Sequence, residues 1–171
     1  MAWASDGGCY FFDDSGLSYI EVETGMVIHL TMPDGFEHTI SPDESILAYI
    51  DADESLRLVF QNIETQEKQE VQLPVPTSSG TPEAGHLIWS PDGKALVLSV
   101  ASNDSCSMGE LSFSLIRVDV EASAVLPLLS NEKRLVVAEK WHPSGFILVR
   151  DWNQNTWWID DRRGEAASSP E

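Results

Sequence analysis

WSPDGKALVLSVASNDSC, residues 89–106, runs from a tryptophan through Ser90-Pro91-Asp92-Gly93 into an unbroken apolar stretch, then into a polar segment from Ser102 onward. Pro presets φ, Asp accepts hydrogen bonds from nearby backbone N–H groups, and Gly tolerates positive φ, so Pro-Asp-Gly turns the chain sharply. The run that follows, Ala95-Leu96-Val97-Leu98, lacks helical spacing and is bounded by turn residues, which predicts a buried strand. The stretch therefore reads as strand end, corner and buried strand, with a polar loop behind them.

The same corner occurs four times. Trp3-Ala4-Ser5-Asp6-Gly7, Ile40-Ser41-Pro42-Asp43-Glu44, Trp89-Ser90-Pro91-Asp92-Gly93 and Trp141-His142-Pro143-Ser144-Gly145 align as large apolar, small or polar, Pro-like, Asp-like, Gly-like. Their first positions are 37, 49 and 52 residues apart, close to the roughly 40–50 residues of a propeller blade. The anchors are Trp3; Ile40, Pro42 and Asp43; Trp89, Pro91, Asp92 and Gly93; and Trp141, Pro143 and Gly145.

Each corner leads into a short apolar run: Cys9 to Phe12, Ile46 to Ile50, Ala95 to Leu98, and Phe146 to Val149. A polar turn and an alternating segment come next, over Leu17–Glu23, Leu56–Glu64, Leu111–Val120 and Thr156–Asp160, as expected of strands with one face more exposed. Three copies add a further apolar stretch, Met26–Leu30, Gln69–Val75 and Val125–Leu129. The unit is a four-stranded antiparallel meander, strands a to d, with the anchor ending strand a. Residues 64–70, ETQEKQE, read as a solvated c–d hairpin, and 76–85, PTSSGTPEAG, as an inter-blade loop. The expected fold is an all-β propeller of about four blades, roughly 1–34, 35–80, 81–131 and 132–165, with a polar tail at 166–171.

The aromatic-SPDG corner, its following strand and the later Val22-Glu23-Thr24-Gly25 or Ile63-Glu64-Thr65 resemble the WD-like repeat of TolB-type β-propellers. The similarity covers nearly the whole chain; at the two ends Ser5 replaces Pro and Ser144 replaces Asp. The same repeat occurs in the propellers of prolyl-oligopeptidase-like enzymes, so the resemblance implies a fold and leaves function open. It also implies more than four blades. The first copy has only a stub of strand a and the last has no clear strand d, so three arrangements are expected to compete: a segment of a larger propeller, pairing with a second copy through open blade edges, or a small closed ring.

Composition narrows the partners. With 28 acidic and 10 basic residues the formal charge is −18, which repels phosphate backbones and argues against nucleic acid, whereas a protein partner with a basic segment suits it. Cys9 and Cys106 form no metal-spaced cluster. No stretch of about 18 apolar residues predicts membrane insertion, and the N-terminus lacks a signal-peptide pattern. The expectation is a cytoplasmic protein as written, or a periplasmic or extracellular one if the chain is part of an exported protein.

The resemblance places d–a connections and b–c turns on one face of the ring. The b–c turns carry Asp13 and Asp14; Asp51, Asp53 and Glu54; Asp104; and Asp151 with Asn153 and Asn155. Such a rim concentrates negative potential, and these nine residues are the candidate binding face. Asp151-x-Asn153-x-Asn155 has the start of a calcium-loop pattern, but Thr156 stands where that pattern needs Gly and Arg162 where it needs Glu. Calcium is the one cofactor considered; ordinary turn chemistry explains the same residues. The loop Ser102–Glu110, with Cys106 and Met108, is the candidate for a specific contact.

No GxSxG elbow or phosphate loop is present, and His29, His38, His86 and His142 are scattered, so no catalytic residues are assigned. The reading is a non-catalytic protein- or ligand-binding module using its acidic loop face. The alternatives are an accessory propeller of a peptidase-like enzyme whose hydrolase domain is absent, and a calcium-dependent binding module.

Overall fold

The computed structural model describes residues 2–4, 7–13, 16–31, 36–51, 55–74, 83–103, 111–132 and 135–170. Among these described residues, sixteen strands form four separate four-stranded antiparallel sheets, and no helix occurs. Sheet 1 holds β1 (Ala2–Trp3), β2 (Cys9–Asp13), β3 (Gly16–Glu21) and β4 (Met26–Thr31). Sheet 2 holds β5 (Phe36–Ile40), β6 (Ile46–Asp51), β7 (Arg57–Asn62) and β8 (Lys68–Gln72). Sheet 3 holds β9 (Glu83–Trp89), β10 (Ala95–Asn103), β11 (Leu111–Asp119) and β12 (Val125–Glu132). Sheet 4 holds β13 (Val136–His142), β14 (Phe146–Asp151), β15 (Thr156–Asp160) and β16 (Ala166–Ala167). Within each sheet the strands follow chain order, so each is one blade of a propeller.

The four anchors occupy one structural position. Trp3 pairs with Cys9, Ile40 with Leu47, Trp89 with Leu96 and Trp141 with Ile147, each joining the end of strand a to strand b. At the corner of blade 3, the Ser90 hydroxyl donates to Asp92 Oδ1 at 2.7 Å and accepts from Ala95 N at 2.9 Å, while Lys94 N donates to Asp92 at 3.1 Å. Blade 2 repeats this with Ser41, Asp43 and Ile46. Blade 4, where the motif reads His142-Pro143-Ser144, holds the same span with His142 Nδ1 and the Ser144 hydroxyl at 2.6 Å. The pairing survives with the residue types exchanged. Gly93 and Gly145 have φ of 69° and 88°; Glu44, in the equivalent place, is held at 62°.

Side-chain alternation sends one face of each sheet to each neighbour. Leu47, Tyr49 and Val59 of blade 2 pack with Leu17 and Tyr10 of blade 1. On the other side Ala48, Ile50, Leu58 and Phe60 meet Trp89, Leu96, Leu98 and Ile116 of blade 3. Blade 3 in turn sends Ala95, Val97 and Leu115 against Trp141, Ile147, Val149 and Ile159 of blade 4. None of these three clusters joins blade 4 to blade 1, so the blades form an open arc. The Phe60 and Trp89 rings, with centroids 5.7 Å apart and tilted by 51°, contribute about 0.5–1.5 kcal/mol beyond the area they bury.

Several boundaries differ from the sequence expectation. Blade 4 does have a fourth strand: Ala166 and Ala167 pair with Ile159 and Trp158, in a segment read as tail because two alanines carry no strand signal. The c–d turn of blade 2 is confined to residues 63–67, since Lys68–Glu70 already pair with Phe60, Gln61 and Val59. The last residues of the expected 76–85 loop, Glu83 to Gly85, belong to β9. Ser102 and Asn103 likewise extend β10 rather than opening a loop; Cys106 and Met108 lie outside the described residues.

His86, the first residue after the expected 76–85 loop, lies inside β9 at a bulge. His86 and Leu87 together oppose Leu98, with His86 at φ 57°. Glu37 and His38 oppose Tyr49 in the same way, with Glu37 at φ 54°. In blade 4 Glu139 is the extra residue between Ala138 and Lys140. A bulge in the innermost strand, two or three residues before the anchor, is thus part of the repeat, and it re-aims the side chains it carries.

Candidate binding face

The b–c turns lie at the ends of strand b and the beginnings of strand c, the same end of the sheets at which strand a begins. Of the nine residues assigned to this face, Asp14, Asp53, Glu54 and Asp104 lie outside the described residues, and Asp13 is described in its backbone alone, closing the hairpin opposite Gly16. The others can be placed with their partners.

Asp51, at the end of β6, forms an ion pair with Arg57 at the start of β7. Arg57 also donates to Glu70 of β8 at 2.8 Å, so one guanidinium ties three strands together. The two carboxylates hold the Arg57 pKa above its ordinary value against the opposing effect of desolvation, which is the largest single influence. Asp151 is buried; its carboxylate accepts from Asn155 N at 2.9 Å and from Asn155 Nδ2 at 3.0 and 3.3 Å. Asn155 N and Nδ2 are thereby spent on closing the hairpin. Asn153 is exposed, next to Trp152, which is 74% exposed. Two of the three residues that begin a calcium pattern, Asp151 and Asn155, clamp the turn here, and no group of three or more His, Cys, Asp or Glu able to hold a metal occurs among the described residues.

The bulges contribute what the sequence did not single out. A depression of about 240 Å³ opens at this end of blades 2, 3 and 4, lined by Glu37, Ala84, Gly85, His86, Ser99, Ala101, Phe113 and Leu135. The Glu37 carboxylate lies over Gly85: a Cβ there would meet Glu37 Cδ at 3.3 Å. The Ser99 hydroxyl donates to the Val136 carbonyl at 2.7 Å and fixes the floor between blades 3 and 4. Glu37 and His86 are both exposed, and neither forms an ion pair among the described residues. Glu139, the bulge residue of blade 4, pairs with Arg150, which also donates to Gln154 Oε1 at 2.9 Å.

One signal in the sequence points to this depression: a polar residue stands three places before the anchors Ile40 and Trp89, where the strand that ends at the anchor must run. That Gly85 lies inside that strand is a finding of the structure. The arrangement can bind through shape, one carboxylate and one imidazole. At the opposite end of the blades, a second depression of about 260 Å³ lies between the corners of blades 3 and 4. There Arg117 stands 5.8 Å over the Trp141 ring and Trp141 Nε1 donates to Asp161 at 3.2 Å.

No protein-family model matches this sequence, and no curated protein matches it. Solved structures do. TolB from Acinetobacter baumannii matches with a TM-score of 0.56 and 14% identity over 96% of this chain and 40% of that one. A Mycobacterium tuberculosis puromycin-hydrolyzing peptidase matches with a TM-score of 0.66 and 14% identity, over 98% and 29%. The C-terminal WD40 domain of Sif2 matches with a TM-score of 0.53 and 22% identity, over 79% and 36%. The chain thus spans less than half of each of these three structures. No helix among the described residues is long and apolar enough to cross a membrane. In fold, the chain is a TolB- and WD40-like β-propeller, present as four blades in an open arc.

Proposed function

We propose that this chain is a non-catalytic binding module that receives a basic segment of a protein partner on its b–c face. The observation that carries the reading is the depression at the inner-strand bulges, where the exposed Glu37 carboxylate and His86 face a groove floored by Ser99, Ala101 and Phe113. The charge of −18 supports it, since an acidic surface speeds the approach of a cationic segment. Arg57 and Arg150 at this end are each held by carboxylates, so they do not oppose a cationic guest strongly. The proposal extends to the other b–c turn residues Asp13, Asp14, Asp53, Glu54 and Asp104, whose carboxylates add to the negative charge, and to the amide of Asn153.

The test is fluorescence anisotropy with a labelled Arg/Lys-rich decapeptide, comparing the native chain with Glu37→Lys. Binding that weakens several-fold between low and physiological salt, and again on reversal of the Glu37 charge, agrees with the reading. Affinity indifferent to both contradicts it.

The match to a peptidase structure over 98% of this chain favours a second reading, an accessory propeller that selects substrate for a hydrolase domain carried elsewhere. Discovery of a hydrolase reading frame contiguous with this one would support it. A gene that encodes blades alone would oppose it.

A further inference from the structure

Two blade junctions repeat one contact. Phe60, opposite Ala48 in the register of β7 on β6, lies against Trp89 of the next blade. Arg117, opposite Val97 in the register of β11 on β10, stands over Trp141 of the next blade. A strand-c residue of one blade therefore covers the anchor of the following blade. Blade 4 repeats the position with Trp158, opposite Leu148.

Alternation decides where Trp158 and Leu148 point. Ile147, Val149 and Ile159 of the same two strands pack toward blade 3, so Leu148 and Trp158 lie on the other face. Phe146 shares that face, and Ala167 extends it next to Trp158. Ala48 and Val97, the counterparts of Leu148, are 0% exposed, whereas Phe146, Leu148 and Trp158 all retain exposure. They belong to none of the three core clusters.

Blade 1 carries the complementary face. Tyr10 and Leu17 pack toward blade 2, which turns Phe11, Ile20 and Val27 the opposite way. Cys9, Ile20 and Val27 form one cross-strand row and Phe11 the next. Phe11 and Ile20 retain exposure and Val27 is 45% exposed. Blade 1 also brings an anchor position, Trp3, joined to Cys9 as Trp89 is to Leu96.

We propose that blade 4 of one copy packs on blade 1 of a second copy, head to tail, with Trp158 and Leu148 taking the part that Phe60 and Ala48 take between blades 2 and 3. The occupant follows from continuity with the interfaces already present. Blade 4 offers the side that always meets a following blade, and blade 1 offers the side that always meets a preceding one. The contact is heterologous, and two equal junctions close a pair of copies into a ring. Both copies carry a charge of −18, so their mutual repulsion must be overcome by apolar burial. Salt therefore strengthens this association, the reverse of its effect on a basic partner at the b–c face.

Multi-angle light scattering of the whole chain, from about 1 to 200 µM at low and moderate salt, provides the test. The expected mass is that of two chains, reached at lower protein concentration when salt is raised. Leu148→Asp and Ile20→Asp should each shift the midpoint of association at least tenfold, and Trp158→Ser provides a milder variant if either fails to keep the native circular-dichroism spectrum. An equimolar mixture of the two aspartate variants should regain dimer, because one intact junction remains between unlike copies. A native chain that stays at the mass of one copy throughout overturns the proposal. A dimer sensitive to Leu148→Asp but not to Ile20→Asp also overturns it, since that would be a two-fold contact between like faces.

Discussion

Replacing Gly164 by alanine should damage the junction of blades 3 and 4 far more than the equivalent change damages blade 1. Gly164 lies in the c–d turn of blade 4, where its N–H donates to the Asp160 carbonyl at 2.9 Å and its φ is 68°. Gly25 holds the same place in blade 1, with a 2.8 Å bond to the Glu21 carbonyl and φ 71°. Gln66 and Ser123 occupy it in blades 2 and 3 at 63° and 52°, so a side chain can be carried in this conformation. For Gly25→Ala, no atom lies within 4 Å of the new Cβ, and the loss is the left-handed backbone cost of about 1 kcal/mol. For Gly164→Ala the Cβ would fall on the Leu128 carbonyl oxygen, 2.6 Å from its carbon.

Backbone cannot rotate away as a side chain would, so the turn and β12 must part by about 1 Å, and a gap of that size forfeits a quarter to a half of each contact's attraction. Adding an overpacking cost of about 1–3 kcal/mol to the backbone cost gives a total of about 2–4 kcal/mol. Urea denaturation followed by tryptophan fluorescence measures both variants, with the m-value as a check that the same transition is compared. Equal losses for the two glycines would refute the reasoning, because they would show that blades 3 and 4 do not approach as closely as described.

Three further outcomes follow from the same geometry. Trp89→Ala, which empties a buried anchor between blades 2 and 3, should cost about 3–5 kcal/mol; Trp152→Ala, at 74% exposure, should cost less than about 0.5 kcal/mol, as read by thermal unfolding. Asp43 and Asp92 have pKa values held down chiefly by the hydroxyls of Ser41 and Ser90. Folded-state values below the unfolded ones mean the unfolded chain binds more protons, so this stability is present above about pH 4 and is lost as pH falls through the folded values. Asp92→Asn should therefore flatten the acid limb of a plot of denaturation midpoint against pH, and an unchanged limb would remove the corner from the account. Calcium at millimolar concentration should leave the melting temperature unchanged, because Asp151 is already saturated by Asn155; a rise reversed by EDTA would show that the turn reopens to bind it.

The corners were legible because local chemistry forms them: Ser, Pro, Asp and Gly shape a turn whose bonds run between residues two to five apart. The b strands were legible as uninterrupted apolar runs. Blade 4's last strand was not, since Ala166-Ala167 gains its place from pairing with Trp158 and Ile159 rather than from propensity. The acidic face was read from turn composition, which locates carboxylates but not their partners. Arg57 reaches Asp51 and Glu70 across register, and Asp151 is consumed by its own hairpin. The Glu37–Gly85–His86 depression depends on bulges in two adjacent blades, and no periodicity in one strand shows how two strands will lie together.

The most direct test of binding on the b–c face is a nitrogen-15 chemical-shift titration of the chain with an Arg/Lys-rich peptide. The account predicts perturbations concentrated at Glu37, Gly85, His86, Ser99 and Ala101, saturating with one peptide per site. Perturbations centred instead on the corners, at Ser90–Lys94 and His142–Gly145, or spread thinly over the whole acidic surface, would contradict it.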